Sequence, residues 1–410
     1  MWTADHCLCV ATCGLRCGDT WLCTIHSTYH YVYVFPSPSC DKGNPVKFRC
    51  EREALAEALA TAGRATSGRN TTLPVLTGVR LELRGDELVI TGTDLDLTIR
   101  ATVPVGGDAD GGVVVPSRLA SDIVRSLGAG KVEFSADGDD VSISSGRSQF
   151  TVRPMTFDDY PKLPAPAPQS VTLPGAAFGE ALRQVVRAAS TDEARPILTG
   201  VQLASENDAL RMVATDSYRL AVRDLGVQHV LGADQKVLVP GRALNELQRL
   251  LGGDADVTMR LGEGNATFEV GGVQLMTQLI QGEFPNYRQL IPNDHSNTLT
   301  VEREPLLEAI RRVKVLVSRD ATPVRLHLGG DTLRLTAINQ DIGNASEELD
   351  AIYEGTELTV AFNPDYLAAG VDACVGDSVT LTTRDGLKPA VLRSAGADDY
   401  LYLLMPVRIP

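Results

Sequence analysis

The sequence predicts an α+β chain in which one domain plan, two helices packed on antiparallel sheets, is written three times. Three observations carry this. Residues 76–94, LTGVRLELRGDELVITGTD, return as 198–216, LTGVQLASENDALRMVATD; a more diverged copy, VRLHLGGDTLRLTAINQ, starts at Val324 and has Asn339 in the place of Asp94 and Asp216. Pro116, Pro240 and Pro364 stand 124 residues apart, each beside a stretch of helical spacing. Stretches such as 79–83, 87–92 and 96–103 alternate apolar and polar residues, as half-buried strands do. The period is far longer than a solenoid unit of roughly 20–50 residues, so each copy is a domain.

Taken in order, residues 1–45 stand apart. Cys7, Cys9, Cys13, Cys17, Cys23 and Cys40, both tryptophans, and His6, His26 and His30 all fall there. No CxxC pair supports a zinc site, and no basic start or small-residue cleavage site supports a secretory signal. The segment reads as a disordered, non-native extension, with the natural start near Val46. Domain 1 then spans 46–168, domain 2 169–294 and domain 3 295–410. Each opens with an amphipathic helix, at 51–62, 178–190 and 302–316, and places a second helix after its proline. About eight strands fill the rest of each copy, with 84–87 as a hairpin turn. The Pro-rich 163–169 and the turn-prone 291–297 read as joints.

Hydrophobic residues make up 43% of the chain, enough for several cores, and no apolar run reaches the length of a membrane span. Only Cys50 and Cys374 lie beyond residue 46, which suits a cytoplasmic, disulfide-free body. The net charge of -14 argues against a nucleic-acid partner only if it is evenly spread. It is not. The helix at 178–190 sets Phe178, Leu182, Val185 and Val186 inward and Arg183 and Arg187 on another face. At 241–251, Leu244, Leu247 and Leu250 face in, with Arg242 and Arg249 outside. At 117–127, Leu119, Ile123 and Leu127 face in, with Arg118 and Arg125 outside. The helix at 305–317 carries Arg311, Arg312 and Lys314. The acid goes to loops at 137–140, 158–159 and 347–350. Arg118 recurs as Arg242, and the third copy departs there with Asp365. Two readings stay open: solvated helix faces, or one shared surface for phosphates.

No catalytic motif presents itself: no P-loop, GxSxG, HExxH or dinucleotide fingerprint. Asp94 and Asp96 read as turn residues rather than as a carboxylate pair. The residues therefore point to no enzyme, no cofactor and no metal.

From Val46 to Pro410 the chain resembles the bacterial sliding clamps, the beta subunits of DNA polymerase III, in an actinobacterial form. The likeness rests on Val46-Lys47-Phe48, Leu73-Pro74-Val75-Leu76, Gly92-Thr93-Asp94-Leu95, Ser145-Gly146-Arg147-Ser148 and Asp159-Tyr160-Pro161. It continues in Ala214-Thr215-Asp216, Arg219-Leu220-Ala221-Val222, Phe284-Pro285 and the run Tyr402 to Arg408. The resemblance implies a head-to-tail homodimer forming a ring around double-stranded DNA, bound without regard to sequence. It implies processivity for the replicative polymerase. Partners would be the polymerase alpha subunit, the clamp loader, and other polymerases and repair proteins, all through short peptide motifs. By resemblance Arg69, Arg118, Arg195 and Arg242 face DNA, and the basic helix faces add Arg125, Arg183, Arg187 and Arg249 to the expected DNA-binding set. A peptide pocket is expected from Leu198, Thr215, Ser217, Tyr218, Arg219, Leu220, Pro285, Leu290, Pro389, Leu403, Leu404, Met405, Pro406, Val407 and Arg408. Phe150, Leu316 and Val317 match dimer positions. Ser217-Tyr218 replaces the Gly-His of some members. Three alternatives stand beside this reading: a second clamp copy giving resistance to a clamp-binding antibiotic, a three-domain enzyme, and a peptide scaffold that never encircles DNA.

Overall fold

Among the described residues of a computed structural model of the chain, six α-helices form at the predicted places: α1 Arg52–Gly63, α2 Ser117–Ser126, α3 Gly175–Val185, α4 Gly241–Leu250, α5 Arg303–Lys314 and α6 Pro364–Ala373. The structure describes residues 45–408 apart from 69–70, 207–208, 229, 233–234, 253–254, 293, 295 and 318–321. In the first segment it describes only the strands Arg16–Cys17, Thr20–Thr24 and Val32–Pro36, paired antiparallel in a sheet of their own. The expectation of disorder for 1–45 otherwise lies outside the described residues. So does Arg69.

The first helices of the three copies bury in step. Leu55, Leu59 and Ala62 in α1 match Phe178, Leu182 and Val185 in α3 and Leu306, Ile310 and Val313 in α5. This spacing places one apolar stripe on the sheets. Pro116 and Pro240 stand just before α2 and α4, whereas α6 begins at Pro364 itself. There Asn363 caps the helix, accepting the N–H groups of Asp365 at 2.9 Å and Tyr366 at 3.3 Å.

Strands number nine in the first copy and eight in each of the others among the described residues. The two joints inside the chain use the same device. Strand Leu97–Pro104 of domain 1 pairs antiparallel with Val273–Gln278, the last strand of domain 2, from Leu97↔Thr277 to Ala101↔Val273. Strand Arg219–Leu225 of domain 2 pairs with Tyr400–Leu404, the last of domain 3, from Arg219↔Leu404 to Arg223↔Tyr400. Sheets thus run unbroken from one domain to the next. Because side chains alternate along a strand, the second joint has two faces. Ala221, Tyr402 and Leu404 enter the main core beneath the helices, and Leu220, Val222, Leu401 and Leu403 form a separate outer cluster. Helix and sheet meet closely there: a Cβ on Gly370 of α6 would stand 2.5 Å from the Tyr402 ring.

Two sequence expectations need correction. Leu119 is 47% exposed, and Ala120, Ile123, Val124 and Leu127 make the buried face of α2 instead. The acidic 347–350 is no loop but part of the twelve-residue strand Gly343–Glu354. Glu347 and Glu348 pair with Arg312 and Arg334, and those pairs offset the charge that masked the alternation. No helix among the described residues is long and apolar enough to cross a membrane.

Candidate functional site

Each domain joint is built around one repeated turn. Asp94 Oδ1 accepts the N–H groups of Asp96 at 3.2 Å and Leu97 at 2.8 Å. Asp216 Oδ1 accepts those of Tyr218 and Arg219, both at 2.9 Å. Asn339 Oδ1 accepts that of Asp341 at 3.0 Å. The carboxylate is spent on backbone, as the turn reading requires. The tight bend puts Leu95 and Ser217 at φ 83° and 81°, a left-handed conformation uncommon outside glycine. The second carboxylate oxygen is free to reach sideways. Asp94 Oδ2 lies 2.5 Å from Arg242 Nη1 of domain 2, and Asp216 Oδ2 lies 3.0 Å from its own Arg219 Nε.

The expected pocket residues collect on the outer face of the second joint, with exceptions. Leu220 and Leu403, opposite each other in register, are buried in the outer cluster with Tyr287 and the half-buried Phe284 and Ile291. Thr215 is buried at the same edge, and its hydroxyl donates to the Arg219 carbonyl at 2.7 Å. The Met405 N–H donates to the Tyr218 carbonyl at 2.9 Å, and that of Val407 to Ala361 at 2.8 Å, which fixes how the last residues leave the sheet. Tyr218, Leu290, Met405 and Val407 are large apolar side chains left exposed there. Ser217, Pro285 and Arg408 are exposed, Pro389 and Pro406 half-buried, and Leu198 buried. Leu404 and Arg219 do not belong to this face. Leu404 is 1% exposed in the helix-side core. Arg219 projects to the same inner side, its Nη1 donating to the Tyr402 hydroxyl at 3.4 Å and its guanidinium lying 4.4 Å above the Tyr366 ring.

Sequence reasoning missed Tyr366, which stacks on Tyr218 at 6.4 Å between ring centres. The signal was available. Counted from the shared proline, the residue in the place of Arg118 and Arg242 is Tyr366, not Asp365.

The arginines expected to face DNA divide into distinct groups. Arg183 and Arg187 are taken up by the second joint. Arg183 donates to the carbonyls of Asp372 at 2.7 Å and Ala373 at 3.3 Å, and Arg187 to Ala369 and the Asp372 carboxylate at 3.0 and 2.9 Å. These contacts cap the carboxyl end of α6, where cations are favoured. Arg195 pairs with Asp192 at 2.9 Å, holding that carboxyl below its ordinary range, and approaches Ser217 Oγ at 3.4 Å. It therefore stands beside the pocket turn. Arg118 and Arg125 are exposed on α2, and Arg242 and Arg249 on α4. Arg249 Nη1 lies 2.6 Å from Glu246, whose other oxygen is 3.1 Å from Arg64 of domain 1. A recess of about 870 Å³ on this side is bordered by Arg187, Arg242, Asn245 and Arg249.

Comparison with known proteins bears on residues 46–408. Three family descriptions match in succession: DNA polymerase III beta subunit, N-terminal domain, over 46–164; central domain, over 172–286; and C-terminal domain, over 288–408. The beta sliding clamp of Streptomyces coelicolor is 35% identical over 376 residues, covering 89% of this chain and 100% of that protein. That of Synechocystis is 33% identical over 390 residues, with coverage of 89% and 100%. A sliding clamp from Bartonella birtlesii, solved bound to griselimycin, superposes with a TM-score of 0.84 at 30% identity, covering 89% of this chain and 100% of that one. The Bacillus subtilis clamp gives 0.83 at 28%, with the same coverage.

Proposed function

Since the chain belongs to the bacterial DNA polymerase III beta-subunit family, the DNA sliding clamps, we propose that two copies close head to tail into a ring of six domains around duplex DNA and tether polymerase there without catalysing a reaction. One observation carries this: the joint device is used twice within the chain and left open at both ends. Along 343–350, the strand Gly343–Glu354 pairs with Thr332–Asn339 on one side, and no described strand covers its other edge. The last strand of domain 1, Ser148–Val152, pairs among the described residues only with Asp140–Ser145. Each free edge is the counterpart of one that is paired inside the chain, and an unpaired edge seeks a strand. Head-to-tail pairing of the two closes the rotation.

Apolar side chains support the same closure. Phe150 is exposed in the first edge strand and Leu119 on α2 of the same domain; Ile338 and Ile342 are exposed at the turn that leads into the second, and Val315 just after α5. Leu316 and Val317, expected at this interface, are half-buried, and Val317 packs on the domain 3 core. Val315 is the exposed apolar residue at that helix end.

Inside such a ring the helices carry Arg125, Arg242 and Arg249 toward phosphates. Contacts of this kind are weak one by one and blind to sequence, which lets a closed ring slide. On the outside, the pocket formed by Thr215, Leu220, Leu403, Met405, Val407, Tyr218 and Leu290 suits a short peptide with apolar anchors. The polymerase alpha subunit and the clamp loader are the expected owners of such peptides. A cytoplasmic location follows from that work.

The test is retention on DNA. The full chain, loaded on nicked circular DNA by a clamp loader, stays bound through gel filtration and is lost once the circle is cut by a restriction enzyme. Its mass by light scattering is that of a dimer. A monomer at every concentration, or equal retention on linear and circular DNA, would overturn the ring.

A further inference from the structure

Resting on the ring just described, we infer that Arg118 and Arg311, which the sequence places among the basic helix faces, form the polar clasp of the subunit joint. Arg118 binds the partner's Asp341. Arg311 donates to carbonyls that end the partner subunit's α2, those of Val124 of the partner subunit and Arg125 of the partner subunit.

Arg118, Arg242 and Tyr366 hold the same place in α2, α4 and α6, two residues after the shared proline. In both joints seen within the chain, that residue grips the turn of the preceding domain. Arg242 pairs with Asp94, and Tyr366 stacks on Tyr218 beneath Arg219. The domain preceding α2 in a ring is the partner's third, whose turn at 339–342 holds one acid, Asp341, exposed. Arg118 awaits a partner: its side chain is 81% exposed, and among the described residues its one acid contact is Asp122 at 3.9 Å. Asn339 replaces the aspartate that Arg242 uses, so the charge in the third turn has moved two residues on.

Arg311 follows from the first helices. Counted along the helices whose buried residues run in step, Arg311 of α5 falls where α3 has Arg183. Arg183 donates to the carbonyls of Asp372 and Ala373, at the end of the next domain's second helix. Beyond α5 the next domain is the partner's first, and the shared proline puts the matching carbonyls at the partner's Val124 and the partner's Arg125. In its own chain the Arg125 carbonyl receives only a long bond from Arg52, 3.4 Å, and a second lone pair is free. Arg311 is exposed and makes no ion pair or hydrogen bond from its side chain among the described residues. The neighbouring position changes in the same sense. Arg64 and Arg187 bridge to Glu246 and Asp372, whereas α5 has Val315 there, 82% exposed. Leu119 stands exposed on α2, where its counterparts Ala243 and Leu367 are buried. An apolar contact with an arginine on each side gives the joint both area and direction.

The test uses the full chain as wild type, Arg118→Glu, Asp341→Arg, the double variant and Arg311→Ala, with dimer dissociation followed by sedimentation. Each charge reversal weakens the dimer at least about tenfold, and the double variant recovers most of that loss. Arg311→Ala weakens it several-fold. Unchanged melting temperature and unchanged binding of a polymerase-tail peptide show that each variant is folded; Arg118→Gln serves if Arg118→Glu is not. Dimers as tight as wild type with reduced retention on circular DNA would make Arg118 a DNA contact and overturn the clasp. So would weakening without recovery in the double variant. A wild-type chain that never dimerises would instead bring down the ring reading itself.

Discussion

Arg187 Nη1 stands 2.9 Å from Oδ2 of Asp372 and 3.0 Å from the carbonyl oxygen of Ala369, so one guanidinium ties the turn that follows the first helix of the middle domain to the second helix of the last. Replacing Arg187 by alanine leaves those acceptors short of a donor at a half-buried site. The expected cost is about 1–2 kcal/mol, reduced from the value for a fully buried charged bond because the group is partly solvated. Arg249→Ala on the exposed face costs less than about 0.5 kcal/mol. Urea unfolding of the two variants side by side checks the contrast.

Leu403 and Leu404 are neighbours in sequence that face opposite sides of one strand. Met405→Ala on the outer side lowers affinity for a polymerase-tail peptide by about tenfold, the scale of one apolar anchor, with little change in melting. Leu404→Ala empties a core position and costs about 2–4 kcal/mol of stability. Fluorescence anisotropy with a labelled peptide, beside a thermal melt, separates the two effects. A drop in peptide affinity from Leu404→Ala at unchanged stability would contradict the alternation.

Asp94 has one oxygen in its own turn and the other on Arg242. Asp94→Asn keeps the first contact and loses the charge, whereas Asp94→Ala loses both. The alanine variant is therefore the less stable, by about 1–2 kcal/mol against about 0.5–1 for asparagine. Raising the salt concentration shrinks the asparagine effect, because that part is a partly exposed ion pair. Unfolding at two salt concentrations reads both.

Tyr402 and Tyr400 are buried at the second joint, and burial pushes the Tyr402 phenol up to about 12, with Tyr400 shifted in the same direction. A raised phenol value in the fold means that the unfolded chain ionises first. The stabilisation is whole below the unfolded value of about 10 and is lost as pH climbs through the folded one. Melting temperature should fall steeply above pH 10, and Tyr402→Phe should flatten the fall. A Tyr402→Phe chain with the same alkaline slope as wild type would remove this residue from the account.

Much of this was legible because the chain repeats itself. The turn at Asp94 and Asp216 reads from its spacing alone, since an aspartate that binds its own backbone needs only local neighbours. The buried stripe of α3 reads from period and size. Leu119 did not, because an apolar residue at helical spacing looks buried whether its cover lies within the chain or on a partner. Arg183 and Arg187 look like solvated cations in one dimension, since their acceptors are carbonyls far along the chain. Tyr366 was within reach: it occupies the joint position, but an aromatic residue there does not match the arginines in type.

The strand that completes the outer sheet of the middle domain is the last described strand of domain 3. A ribosome making this protein finishes nearly all of domains 2 and 3 before Tyr400–Leu404 emerges. Until then Arg219–Leu225 presents a bare edge, and the outer cluster lacks Leu401 and Leu403. A chain cut short before Tyr400 would therefore carry an open, adhesive edge along Arg219–Leu225 and an outer cluster without Leu401 and Leu403.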